Sequence, residues 1–264
     1  MRELLTQHAA QTHVEPLLTN VALVLNTRVA PFDDRRVRRA LNYGIDRRAV
    51  VRAVGGSSAA VPSCQILPPN FAGYVRYCPY HAPDLRTARR LVAASGTRGM
   101  RVTLLSIKYL APGARPVVAL LRRLGYDAAL RVVPEADYAP QIFDSRARTQ
   151  ASMFYWAADY PAPSNFLAQL LSCEAFHPAT RNNLNAAEFC SRAIDSLMRS
   201  ATRAQAVNVQ LANRKWAAVD RALVDAAPWL PLYNPQSVAL LSRRAGGHRY
   251  NPIHGTLIDQ LWVH

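Results

Sequence analysis

Asp159 stands just after an apolar and aromatic run, Met153-Phe154-Tyr155-Trp156-Ala157-Ala158, and just before Tyr160-Pro161-Ala162-Pro163. The run reads as a strand buried on both faces, and the prolines break it into a turn. In open α/β sheets, ligands bind at the carboxyl ends of strands. A partly buried carboxylate there, with Trp156 and Tyr160 beside it, suits a ligand cation such as an ammonium group. The plainer role for the same residue is to cap the turn that follows it.

Other chemistry is hard to find. There is no G-x-S-x-G elbow, H-E-x-x-H helix, Walker-type phosphate loop or G-x-G-x-x-G turn. The seven histidines are scattered and none sits at a convincing spacing from a nucleophile or a metal partner. Asp33 and Asp34 precede a strongly basic segment, where capping and helix-dipole interactions account for them. The four cysteines bracket two loop-like segments, Cys64 to Cys78 and Cys173 to Cys190. Two local disulfides suit an exported protein, and each would close a loop of about 15 residues, worth roughly 3 kcal/mol in chain entropy. Free core thiols, or a metal site on Cys64, Cys78 and His81, are the other readings. The close CxxC pair typical of structural zinc is missing.

The elements that must position Asp159 follow from periodicity. Asp33 can cap a helix over 34–44 and Asp46 a shorter one over 47–54. A long irregular segment, 57–83, comes next, and a Cys64–Cys78 bridge would pin it. A helix from Leu85 stops at Ser95-Gly96. Strands over 102–107, 128–133 and 151–156 then alternate with helices over 115–124 and 135–148, which predicts a mainly parallel sheet with 151–156 at its centre. Beyond the proline turn, helices are expected over 165–171, 186–201 (capped by Asn185) and 204–226. The last carries Val207, Leu211, Trp216, Val219 and Leu223 as its apolar stripe. Strands are expected over 229–233 and 238–241.

The stretch Trp156-Ala157-Ala158-Asp159-Tyr160-Pro161-Ala162-Pro163-Ser164-Asn165-Phe166 resembles a segment of the family 5 extracellular solute-binding proteins, the oligopeptide- and dipeptide-binding receptors of ABC importers. Leu25-Asn26-Thr27, followed by Pro31-Phe32-Asp33-Asp34-Arg35-Arg36-Val37-Arg38-Arg39-Ala40, resembles that family's N-x-x-x-x-P-F-x-D-x-R-V-R-x-A signature. The resemblance covers nearly the whole chain. It implies an α/β fold of the periplasmic-binding-protein-like type II class. That fold is a large C-terminal lobe with a mainly parallel sheet flanked by helices, plus remnants of the first lobe. The implied division is 1–26 as connecting strand and first-lobe remnant, 27–233 as the ligand-binding lobe, and 234–264 as the return segment.

The resemblance also implies binding of a solute, a peptide first of all, for uptake through ABC transporter permease subunits, with no catalysis, cofactor or metal. In peptide-binding members the aspartate matching Asp159 pairs with the ligand's α-amino group. Trp156 and Tyr155 would shape the floor beside it, or one of the two would face the core on the far side of the strand, and the Ala157 backbone would offer strand-like hydrogen bonds to an extended peptide. Some oligopeptide receptors carry a basic residue shortly before the motif tryptophan, where this chain has Met153. The ligand class therefore stays open between peptide, nickel and oligosaccharide. Family members are exported and longer, so the chain is expected to be the C-terminal portion of a receptor whose N-terminal lobe is missing. Its own start, Met1 to His8, is polar and unlike a secretory signal peptide.

With 264 residues, half of them apolar, the chain can bury a sizeable core, and no run is long enough to span a membrane. A net charge of +15 raises the question of nucleic acid. Only Lys108 and Lys215 are lysines among the 32 basic residues, the arginines are spread along the chain, and no nucleic-acid motif is visible, so no nucleic-acid partner is expected. A second functional class remains: a binding lobe inherited by a larger intracellular regulatory or fusion protein, acting through protein contacts. Free thiols would favour that class, and disulfides the importer.

Overall fold

The computed structural model describes residues 6–264; the part of the N-terminal reading that falls on Met1–Leu5 lies outside them. In chain order the elements are β1 (Thr12–Pro16), β2 (Thr19–Leu25), α1 (Arg35–Gly44), α2 (Arg47–Ala53), β3 (Ala60–Pro62), α3 (Leu85–Ser95), β4 (Arg101–Ile107) and α4 (Ala111–Arg123). There follow β5 (Asp127–Val133), α5 (Glu135–Ile142), β6 (Ala151–Ala157), α6 (Ser164–Leu171), α7 (Arg192–Gln205), α8 (Val209–Ala226) and β7 (Trp229–Leu240). Four two-residue strands close the chain: β8 (Ala245–Gly246), β9 (Tyr250–Asn251), β10 (Gly255–Thr256) and β11 (Trp262–Val263).

Short acidic side chains start the first helices. Asp34, Asp46 and Asp84 accept hydrogen bonds from the backbone N–H of Arg36, Ala49 and Thr87 respectively. The first cap lies one residue beyond the expected Asp33, because the Asp34 carboxylate also takes the Arg36 guanidinium at 2.7 Å. Gly96, at φ +71°, ends α3 in the left-handed conformation that glycine adopts without strain. The helix expected over 135–148 ends at Ile142, two residues after Pro140, and Asp144 starts a separate 3-10 turn. The helix expected over 186–201 begins only at Arg192, with Ser191 as its cap. Asn185 is spent elsewhere: its amide donates to Ser172 O and Phe189 O. The expected stripe of the last long helix is wrong at its start, since Val207 precedes α8 and is 88% exposed and Leu211 is also exposed.

Seven strands form one sheet in the order β1-β7-β2-β6-β4-β5, with β3 on β7. The α/β lobe is the expected one, but the sheet is mixed rather than mainly parallel. β4 runs parallel to β5 and to β6, as the crossovers through α4 and α5 require. β2 runs antiparallel to both β6 and β7 because it lies outside those crossovers. β6 is central, as expected, between β2 and β4. All seven residues of β2 are buried, and so are the first four of β6.

The irregular segment between α2 and α3 is pinned twice. Cys64 is bonded to Cys78 within it; the other bridge, Cys173 to Cys190, closes the loop between α6 and α7. Next to the first bridge, Asp220 of α8 is buried and accepts from Gln65 Nε2 at 2.9 Å and from Ile66 N–H at 3.2 Å. Gln65 in turn donates to Val75 O and accepts from Tyr77 N–H. The side chain of one glutamine thus joins both arms of the loop to the longest helix.

Burial pushes the Asp220 carboxyl up to about 6 against the hydrogen bonds that favour its charge. The folded protein therefore holds this proton more tightly than the unfolded chain, so its contribution is fully present below the ordinary value of 3.8 and is lost as the pH rises through about 6. Asp34 and Asp144 shift the other way, held low by Arg36 and Arg146, so their stabilisation fades only at lower pH. Between pH 7 and pH 5 the free energy of urea unfolding is expected to rise by about 1 kcal/mol, and Asp220→Asn to flatten that rise. An equal slope in the variant contradicts the assignment.

Candidate functional site

Strand alternation divides the aromatic run of β6. Phe154 and Trp156 share one face, their rings 6.2 Å apart and within 13° of parallel. Phe154 is buried against Trp229 and Phe143, and Trp156 packs on the same core. Tyr155 points to the other face, 46% exposed, with its ring edge-on to Tyr109 at 5.7 Å. Burial, reinforced by the Tyr155 hydroxyl, pushes the Tyr109 phenol well above its ordinary value, so it stays a neutral hydrogen-bonding group. Trp156 and Tyr155 therefore do not line one floor together.

The edge of β6 is asymmetric. On one side it pairs with β2 along its whole length, from Ala151 opposite Leu25 to Ala157 opposite Thr19. On the other side it pairs with β4 only through Ala151 and Ser152. From Met153 to Ala157 the strand has no ladder partner on that side among the described residues. Tyr109, which follows β4, and Tyr155 stand where the two strands part.

Asp159 lies two residues past the end of β6 and is exposed. It does not cap α6, whose N-cap position is Pro163 without a side-chain hydrogen bond. Instead Asn165, fully buried in the first turn of α6, holds Asp159. The Asn165 Oδ1 accepts from Asp159 N–H at 3.0 Å and from Trp156 Nε1 at 3.1 Å. Its Nδ2 donates to Asp159 Oδ2 at 2.9 Å and to Gln169 Oε1 at 2.8 Å. All four hydrogen-bonding positions of one amide are used, and they fix Trp156 and the Asp159 backbone together. Asp159 Oδ1 accepts no hydrogen bond from a described residue, whereas Oδ2 is taken by Asn165. Sequence reasoning saw Asn165 only as part of a helix start. Its signal is spacing: six residues after Asp159 across a proline turn, a short amide can reach back to it.

The profile for bacterial extracellular solute-binding proteins, family 5 Middle, matches residues 3–177. Among curated proteins the chain is 30% identical over 245 residues to "Probable di/tripeptide-binding protein 5" of Pseudomonas aeruginosa (strain UCBPP-PA14), covering 90% of this chain and 44% of that protein. It is 29% identical over 257 residues to "Heme-binding protein A" of Haemophilus influenzae, covering 91% and 45%. The chain thus spans less than half the length of these relatives. Among solved structures, "Clavulanic acid biosynthesis oligopeptide binding protein 2" superposes with a TM-score of 0.86 at 21% identity, covering 96% of this chain and 48% of that one, which is a likeness of fold.

Replacing Asn165 by Ala leaves Trp156 Nε1 and Asp159 N–H without their acceptor. The expected cost is about 2–3 kcal/mol in urea unfolding, as for orphaned buried donors. A loss under about 0.5 kcal/mol, typical of a surface change, contradicts the role given to this amide.

Proposed function

Because the chain belongs to the bacterial extracellular solute-binding proteins of family 5, we propose that it forms one wall of a cleft that binds a short peptide by its free amino end, for delivery to an ABC importer outside the cytoplasm. The observation that carries this reading is the pairing of an exposed carboxylate, Asp159, with a strand edge that β4 leaves open from Met153 to Ala157. An extended peptide can add to such an edge through backbone hydrogen bonds, with its ammonium group on Asp159 Oδ1. Backbone pairing at Ala157 makes binding tolerant of side chains. Tyr155 and Tyr109 offer aromatic surface where β6 and β4 part, while Trp156 acts through Asn165 to keep the carboxylate in place.

A single wall leaves such a ligand half solvated. Tight binding would need a second lobe to close over it and exclude water, and the share of the relatives' length that the chain covers leaves room for one. The reading as a lobe of an intracellular regulatory protein predicts free thiols. All four cysteines are paired here, which counts against it.

Asp159→Asn keeps the size and shape of the side chain and still offers an oxygen to Asn165. In the intact protein it is expected to weaken dipeptide or tripeptide binding by about 2–5 kcal/mol by calorimetry, as for one partner of an enclosed charge pair. Unchanged affinity removes Asp159 from the site.

A further inference from the structure

Histidines that the sequence scatters come together at the outer edge of the sheet. His13 and Glu15 alternate on β1, so both side chains project from one face of a strand whose only partner in the sheet is β7. His248 comes from the segment between β8 and β9 and lays its ring on that of His13, centroids 3.8 Å apart and planes within 28°. One ligating atom from each of the three residues lies within 4.8 Å of the other two, and all three residues are half-buried. We propose that His13, Glu15 and His248 bind a divalent first-row transition ion of the zinc class.

The chemistry of the set points that way. Two imidazoles and one carboxylate suit zinc, cobalt or nickel, whereas calcium and magnesium take oxygen ligands. Three protein ligands leave a fourth position open. The carboxylate of Glu15 accepts no hydrogen bond from a described residue, which leaves its oxygens free to ligate. Thr256 Oγ1 lies 3.5 Å from His248 Nε2, a hydroxyl placed to orient the ring. Two nearby arginines are engaged by other groups: Arg243 donates to Gln11 Oε1 and Arg244 to His264 O. The segment that carries His248 forms two small two-stranded sheets that do not join the main one. It meets the region of β1 through Tyr250 Oη–H to Pro16 O and Arg243 Nε–H to Gln11 Oε1. A metal ion would add a further tie between the sheet edge and this segment, independent of the surface around Asp159.

The test is a zinc titration of the chelator-treated intact protein against a chromophoric competitor, with hydrogen exchange over residues 245–264. The expected result is one zinc equivalent, with affinity reduced at least about tenfold in each of His13→Ala, His248→Ala and Glu15→Gln, since even outer-shell losses weaken metal sites by that much. His254→Ala should bind as the parent does. Zinc should slow exchange over 245–264 in the parent and not in His248→Ala, and calcium at the same concentration should do nothing. Absence of saturable zinc binding would mean that the two rings merely stack, and overturns the proposal. Equal affinity in all the variants, or equal protection by calcium, overturns it as well.

Discussion

The guanidinium of Arg47 is fully enclosed and has no carboxylate beside it. It is held by oxygen dipoles alone: Nε donates to Ser63 O and Pro231 O at 2.8 Å, Nη1 to Asn42 O and Tyr80 O, and Nη2 to Asn42 Oδ1. Burial lowers its pKa to about 9, so it is still a cation at neutral pH. A charge removed from water is tolerable only where its donors are met, and here they bind α1, α2, the loop after β3, the segment near Tyr80 and strand β7 to one point. Arg38 of α1 is held in the same way, donating to Ala226 O and Ala227 O, where the carbonyl end of α8 favours a positive charge. Arg47 is thus the staple between the helical layer and the sheet, and Arg38 ties α1 to the end of α8 and to the turn at Phe32 and Asp33.

What the staple holds still is the strand ladder that leads to the site. Arg47 fixes β7 at Pro231, β7 pairs with the buried β2 from Val21 to Val24, and β2 carries β6 from Ala151 to Ala157. β6 can therefore run past the end of its pairing with β4 without losing its position. An unpaired strand edge is normally a hazard for association. On a rigid sheet, beside a carboxylate fixed by a buried amide, it becomes a place where an extended chain can be recognised.

Much of this was legible in the sequence, and the reasons differ by element. The βαβ alternation, the aspartate caps and the two cysteine loops are local signals, readable within a dozen residues or so. The antiparallel half of the sheet was not legible, because period-two alternation carries no strand direction. Asn185 has the composition of a helix cap but is drawn into the loop closed by Cys173 and Cys190. Arg38 and Arg47 sit on two successive arginine-rich helices, α1 and α2, where solvent is the ordinary expectation, and only the tertiary fold supplies the carbonyls that bury them. Asn165 and the pair Trp156–Asp159 are close in sequence, yet their connection depends on how a proline turn is bent. His13 and His248 stand near opposite ends of the chain, and no local pattern joins them.

Recognition of a free amino terminus by Asp159 is the claim on which the functional reading stands. The most direct measurement compares di- and tripeptides with their N-acetylated counterparts, titrated calorimetrically into the intact protein. The account predicts that acetylation, which removes the ammonium charge and keeps the backbone, weakens binding by about 2–5 kcal/mol. Equal affinity for the two forms, or binding of neither, contradicts it.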